Sequence, residues 1–588
     1  MNLKLLRKIA FIKAFLALTA RFGAPRAPAN PKKGDYAYVK AYMNWFVRKQ
    51  MKARNIVGLS IALVDDQTIV WQHGFGNADR ENKIAATPRT LYRAGSISKL
   101  FNAMAVMQLV EDGKMDIDRP LATYLPEFRI RSRFGDTRGI TPRSIMTHHS
   151  GLPGNWIDGM WTEEPQTFTQ LVHAIRDEYV AFPPDTVTSY SNLGVTLLGH
   201  AIQNVSGQAY AEFLDQGLLQ PMGMKDSRYA AGISGNAAAR SYRNGKEVVE
   251  YPLRDLPAGG LNTTVTDLAR LAMLINNHGT LQDRRILSPG SVEAMLTAQN
   301  DDVPLDFDSK IGLAWGIGHH LLDNNEPVYH HGGGTIAHSS MFMVARKSRL
   351  GAVVLANSSN ANTGDIAKML LQMAWKAKNG VKPVCPRKPP VGKPSDFTGT
   401  FASMIGRVDI AKSTGDRYKV KSSVGNFDLD PGKDRRYRLK CRLLGILPLD
   451  LEEMGAIGFT TEVVDGHRVM VGELKGHRFL AGVQVEPHAI HAAWKSRVGH
   501  YTLLNPPEPE MYHVKDIELK MEGDYLVAAV TDSEDVSTLI LRTVNADEAI
   551  MEGLGRDLGE TIRVVEDSGA NVILTYSGLR LRRLRPRR

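Results

Sequence analysis

Cysteine is nearly absent. Cys385 and Cys441 are the only two in 588 residues, too few for a disulfide-stapled scaffold or a thiolate metal cluster, although the two leave one disulfide pairing open. Long apolar runs are missing as well. Beyond the N-terminus no stretch approaches the ~18 uninterrupted apolar residues of a spanning helix, so no integral membrane span is expected. The body also lacks positive charge. The formal charge is +11, but residues 1–33 hold eight Lys or Arg and no acid, residues 580–588 hold six Arg and no acid, and what lies between carries −3. That distribution excludes a basic nucleic-acid surface on the body, and the Arg-rich tail, with no stacking aromatics beside it, reads as a solvated terminus. Nor is there a shortage of apolar residues: 43% hydrophobic against 23% charged excludes a disordered chain.

The length implies three or more domains at roughly 100 to 200 residues each. Residues 1–33 form a basic, signal-like extension, with Lys4, Arg7 and Lys8 ahead of an apolar centre that Lys13 interrupts. This start points to a periplasmic or secreted protein, against the alternative of a disordered extension on a cytoplasmic one. From 34 to 378 helical and extended patterns alternate. Val39, Met43, Phe46 and Val47 mark an amphipathic helix, strand-like runs follow at Gly58–Val64 and Thr68–Trp71, and Ile366, Met369, Leu370 and Met373 mark a closing helix. The expectation is an α/β (α+β) domain with a central antiparallel sheet flanked by helices. Residues 379–394, rich in proline and lysine, read as a linker.

After the linker the period becomes two. Runs such as Arg407–Ala411, Tyr418–Lys421, Tyr437–Leu443, Val469–Leu474 and Phe479–Val485 are separated by turn residues. Phe397-Thr398-Gly399-Thr400-Phe401 opens this set, and Val498-Gly499-His500-Tyr501 opens a second one about 100 residues later. Two small up-and-down barrels, 395–490 and 491–588, account for strand count and repeat together; the alternative is one large sandwich.

The chemistry lies in the first domain. Ser96 and Lys99 stand three apart at the start of a helix that runs through Leu100, Phe101, Met104 and Met107 and stops before Gly113, which puts both on one face. Serine is a weak nucleophile at its free pKa, and a lysine one turn away in an apolar helix can take its proton. Tyr190-Ser191-Asn192 supplies a phenol as candidate base and an amide to orient a carbonyl. For Tyr190 to act as base near neutrality its pKa must fall by about three units, and a Lys99 cation beside it would contribute. Tyr242-Arg243-Asn244 has the same spelling in a polar, turn-rich stretch and is set aside as a decoy. The third element is His331-Gly332-Gly333-Gly334. His331 would flank the site, glycines would let a substrate lie along the strand edge, and the Gly334 and Ser96 N–H groups would form an oxyanion hole.

The order Ser-x-x-Lys, Tyr-x-Asn, His-x-Gly resembles the serine β-lactamase-like family of class C β-lactamases, D-alanyl-D-alanine carboxypeptidases, esterases and D-aminopeptidases. Ile140-Thr141-Pro142-Arg143 leading to Thr147-His148-His149-Ser150-Gly151-Leu152-Pro153 is similar to that family's helix and loop between the first two motifs. So are Leu219-Gln220-Pro221-Met222-Gly223-Met224, Ala258-Gly259-Gly260-Leu261 and Val353-Val354-Leu355-Ala356-Asn357 in their places. The resemblance covers about residues 36–378. It implies Ser96 as acylated nucleophile, Lys99 and Tyr190 as the proton-transfer pair, and Asn192, His331, Gly333 and Gly334 as substrate-binding, with no metal and no cofactor. His331 replaces the lysine many β-lactamases carry, a departure shared with D-aminopeptidases and esterases. A catalytic domain followed by two lipocalin-like barrels is similar to the D-aminopeptidase architecture. Ala337 and His338 stand where the family often has Gly and an aromatic.

The leading expectation is a serine hydrolase of small peptides carrying a D-residue. A carboxylesterase or β-lactamase-like hydrolase would use the same residues, and a non-catalytic penicillin-binding or scaffold protein would keep only the fold. A zinc hydrolase built on His148-His149, His319-His320 and His330-His331 is disfavoured because adjacent strand residues point to opposite faces. The barrels, lacking any comparable cluster, are expected to shape substrate choice rather than build the catalytic residues.

Overall fold

Alternation along the central strands decides how the first domain is layered. In Gly58–Asp65, Leu59, Ile61 and Leu63 enter one apolar core and Ala62 and Val64 the other, because successive side chains leave opposite faces of a strand. Leu350–Ala356 does the same. It pairs antiparallel with Gly58–Asp65, Leu59 opposite Ala356, so the first and last strands of the domain meet in mid-sheet. The full order is Lys310–Ile311, Gly316–Gly318, Val328–Gly334, Ser339–Ala345, Leu350–Ala356, Gly58–Asp65, Thr68–Asp79 and Ile84–Ala85. Helices Ala37–Arg54 and Thr363–Asn379 cover one face. The other face carries the larger core, into which Ser98–Glu111, Asn192–Ser206 and Val265–Asn276 pack.

This computed structural model describes residues 23–28, 32–381 and 396–584, apart from 424, 433–435, 444–446, 450–456, 475, 509–513, 515, 532–535 and 569–570. The apolar centre of the signal-like start, most of the proline-rich linker, the Cys385–Cys441 pairing and the last four residues of the Arg-rich tail lie outside the described residues. Among the described residues no helix is long and apolar enough to cross a membrane.

Both expected barrels are there, and the single sandwich is not. In the first, Gly399–Ser403, Gly406–Lys412, Tyr418–Ser422, Gly425–Pro431, Tyr437–Leu443, Gly458–Val464, His467–Leu474 and His477–Gln484 follow one another around the ring. Phe401 opposite Gln484 closes it, and Leu447–Leu449 adds a short extra strand on Tyr437–Leu443. The second runs Gly499–Leu503, Asp516–Glu522, Tyr525–Thr531, Val536–Thr543, Glu548–Met551, Thr561–Asp567, Val572–Tyr576 and Leu579–Arg583, closed by Tyr501 opposite Arg583. Closure pairs every edge, which is how small all-β units avoid exposed strands.

The three units dock on a shared apolar cluster. Ala181, Phe182, Val187 and Leu305 of the first domain meet Val469, Val471 and Val483 of the first barrel and Leu558 of the second. Polar contacts flank it. Arg133 donates to Glu548 and to Thr561 Oγ1, each at 2.9 Å, and Ile157 N–H to Ser577 O at 3.0 Å.

Candidate active site

Ser96 lies in a 3-10 turn, Gly95–Ile97, that feeds directly into the helix Ser98–Glu111. That turn requires glycine at 95. Its φ is +54°, and a Cβ there would sit 2.8 Å from both N and O of Gly334, so the nucleophile turn and the third-motif strand touch backbone to backbone. The helix behind is buried on nearly all sides, which leaves Lys99 1% exposed while Ser96 remains partly open.

Lys99 Nζ donates to Asn192 Oδ1 and to Ala258 O, each at 2.7 Å, and lies 3.2 Å from Ser96 Oγ. Burial first, then the Arg556 charge, hold its pKa well below the ordinary lysine range. A neutral amine has two hydrogens and one lone pair. In that form the two carbonyl oxygens would take the hydrogens and the lone pair would face the Ser96 hydroxyl.

Tyr190 precedes the helix Asn192–Ser206, which Ser191 caps by accepting from Gly194 N–H at 2.8 Å. Asn192 therefore opens the helix, accepting from Lys99 and donating to Asn155 Oδ1 at 2.8 Å. Tyr190 shares a hydrogen bond with Ser96, yet burial outweighs that bond and the Arg556 charge and pushes the phenol up to about 12. This is opposite to the fall expected of a resting-state base: without substrate the phenol is neutral.

His331 opens the glycine run at the end of the strand Val328–Gly334. Its ring lies 6.4 Å from that of Tyr190, and its Nδ1 is 2.6 Å from Gly332 O. Burial, then Lys99, lower its pKa to about 3, so it is a neutral wall. Pairing with Gly316–Gly318 reaches only from Val328 to His330. Among the described residues the outer edge of 331–334, including Gly333 and Gly334, has no partner strand. His338 turns inward instead of lining the cleft, accepting from Arg93 N–H at 3.3 Å and bonding Ser241 Oγ at 3.0 Å.

The other histidines are dispersed. The His148 ring packs tilted against Tyr190 at 4.2 Å, His149 pairs with buried Asp306 at 2.8 Å, and His320 packs tilted against His477. Among the described residues no three His, Cys, Asp or Glu gather as a metal site. Asp306 also accepts from Thr188 N–H at 2.8 Å and Thr188 Oγ1 at 2.7 Å. The His149–Asp306 pair thus anchors the chain two residues before Tyr190. Tyr242, the decoy, is bonded to Arg80 N–H and Glu81, outside this cluster.

Sequence reasoning expected the barrels to bear on the site but did not identify which loop or which residues would reach it. The loop from Glu552 to Glu560, between Glu548–Met551 and Thr561–Asp567, reaches the site. Glu560 Oε1 accepts from Gly154 N–H at 2.7 Å, and Gly555 O accepts from Ser189 Oγ at 3.2 Å. Asp557 Oδ1 accepts from Asn155 Nδ2 at 3.4 Å, and the Arg556 guanidinium stands 5.0 Å from the Tyr190 ring centre. The signal was a nine-residue hairpin connection with three glycines, longer than a tight turn needs. Gly559 has φ +72° and would place a Cβ 2.6 Å from the Phe182 ring.

A serine beside a buried lysine and a tyrosine, on an antiparallel sheet sandwiched by helices, is an arrangement suited to serine hydrolase chemistry. A family model described as Beta-lactamase matches residues 43–372, more than half of the chain; the chain belongs to the β-lactamase family of serine hydrolases. It is 25% identical over 378 residues, 61% of this chain and 73% of the relative, to the human protein "Putative beta-lactamase-like 1". It is 24% identical over 320 residues to "Protein flp" of Staphylococcus aureus, spanning 53% of this chain and 61% of that protein's length. Two solved structures share the fold. The octameric penicillin-binding protein homologue from Pyrococcus abyssi matches at TM-score 0.51 and 20% identity over 92% of this chain and 99% of its own. SurE with D-Leu matches at 0.54 and 21% over 77% and 100%.

Proposed function

We propose that this chain cleaves amide or ester bonds through an acyl-enzyme on Ser96, with peptides carrying a D-residue as the leading substrate class. The observation that carries the reading is the buried Lys99 Nζ, which lies 2.7 Å from both Asn192 Oδ1 and Ala258 O and meets Ser96 Oγ at 3.2 Å. Lys99 takes the Ser96 proton as Oγ bonds to the substrate carbonyl carbon. The bond to the leaving nitrogen or oxygen then breaks, and the neutral Tyr190 phenol supplies the proton that group needs. Lys99 and Tyr190 rebalance, so the Ser96 proton has in effect passed to the leaving group. Water then attacks the ester, its proton returns to Ser96, and the acid departs. Every step uses side chains of the first domain.

The unpaired edge at 331–334 favours a peptide over a simple ester, since an extended backbone can add there as a strand. The D-residue preference draws support from the shared fold with SurE, a structure solved with D-Leu. A fluorophosphonate tests the nucleophile. The adduct is expected on Ser96 and absent from Ser96→Ala; labelling of another serine, or no loss in the variant, overturns the reading.

A further inference from the structure

Both oxygens that accept from Lys99 lead back to one buried arginine. Ala258 O belongs to the short helix Leu256–Gly259, which starts directly after Asp255, and Asp255 O accepts from Ala258 N–H at 3.0 Å. Asn192 Oδ1 is fixed through the bond from Asn192 Nδ2 to Asn155 Oδ1, and Asn155 runs on into Trp156, Ile157 and Asp158. Arg254 ties these two segments together. Its Nε donates to Asp255 Oδ1 at 2.7 Å, its Nη2 to Trp156 O at 2.6 Å and its Nη1 to Asp158 O at 2.5 Å, while its backbone N–H reaches Met160 O at 2.9 Å.

A planar guanidinium can hold three acceptors on two segments at once, which the compact ammonium of a lysine cannot do in the same geometry. The Arg254 and Asp255 side chains are 5% and 0% exposed. Their side-chain bonds run to each other, to Trp156 and to Asp158 rather than to Ser96 or Tyr190, so the pair acts on the reacting groups through what it holds. It also carries charge. Asp255 Oδ2 is buried with no hydrogen-bond partner among the described residues, and a charge left unpaired at low dielectric acts at a distance. Lys99 faces Arg556, Asp255, Tyr190, His148 and His331. Burial and then Arg556 lower its pKa, and Asp255 is the group that opposes them.

We propose that Arg254 and Asp255 are the positioning pair of this active site: the arginine sets the two oxygens that aim Lys99 at Ser96, and the aspartate supplies the negative charge that the amine faces. This rests on the hydrolase reading above, in which Lys99 takes the Ser96 proton.

The test follows fluorophosphonate labelling of Ser96 in the full-length chain across pH, reading the rate constant and the final extent separately. Fluoride leaves without needing a proton, so the rising limb reports the Lys99 amine and not the Tyr190 phenol. Arg254→Lys keeps the charge and loses the fork; its rate constant at the plateau is expected to fall at least about tenfold, the scale of a slightly misplaced catalytic group, with the extent unchanged. Asp255→Asn still offers an oxygen to Arg254 Nε but no charge to Lys99, so the midpoint of its limb is expected to move to lower pH. A merely structural role would reduce the extent, because fewer molecules fold, and leave the rate constant and midpoint of the labelled fraction in place. That result overturns the assignment, as does a rate in Arg254→Lys within a few-fold of wild type, or a midpoint in Asp255→Asn that stays or rises. If Arg254→Lys does not fold, the Asp255→Asn midpoint decides. Wild type is read alongside: absence of Ser96 labelling there overturns the hydrolase reading and this assignment with it, whereas a labelled wild type with unaltered variants overturns this assignment alone.

Discussion

Glu560→Gln probes whether the second barrel is locked onto the catalytic domain by a proton. The Glu560 carboxyl is buried, accepts from Gly154 N–H at 2.7 Å, and has its pKa pushed up to about 7, by burial first and then by the neighbouring Asp557 charge. In the unfolded chain it would ionise near 4.5. Between those two values the folded protein keeps a proton that the unfolded chain releases. The stabilisation from this group is therefore complete below pH 4.5, declines as the pH rises, and is lost above about 7. At about 1.4 kcal/mol per pH unit the difference comes to about 3 kcal/mol. Glutamine still offers an oxygen to Gly154 N–H but has no proton to lose. The variant should therefore gain about 3 kcal/mol on the wild type between pH 4.5 and 8, whatever offset the substitution itself introduces. Urea unfolding followed by tryptophan fluorescence measures this, since Trp156 packs against Gly578 of the second barrel and reports its release. Stability curves that run parallel across this range would refute the reasoning.

Two further outcomes follow from the geometry. Tyr190→Phe should slow turnover by ~100-fold or more, the scale for losing a positioned acid or base, while the fold, read by circular dichroism, stays unchanged; turnover within a few-fold of wild type would remove Tyr190 from the proton path. Gly95→Ala imposes a left-handed backbone on a non-glycine residue, a strain of about 1–2 kcal/mol, and drives a Cβ to 2.8 Å from the Gly334 backbone. Fluorophosphonate labelling of Ser96 should then fall at least tenfold in a chain that still folds, and undiminished labelling would show that the turn is not held as described.

Barrel loops were expected to influence substrate choice without building the catalytic residues, and the contacts bear on the second half of that expectation alone. Ser96, Lys99, Tyr190 and Asn192 all come from the first domain. Yet Asn155, which holds the Asn192 amide, is itself held by Asp557 of the second barrel. The barrel therefore supports the geometry of the site as well as bordering it.

The sequence by itself determined whatever depends on near neighbours along the chain. Ser96 and Lys99 share a helix face because of their spacing, Tyr190 and Asn192 frame a capped helix start, and period-two runs after residue 397 can satisfy their backbones only as sheet. Two properties waited for the tertiary structure. The charge states did, because the pKa values of Lys99 and Tyr190 move with burial, and burial is a property of the packed core rather than of spacing; this is why the expected fall in the Tyr190 pKa became a rise. The place of Arg556 did too. The Glu560–Gly154 bond that seats its loop joins residues 406 positions apart, and no local pattern records which surface a distant hairpin will meet once three separate cores have packed together.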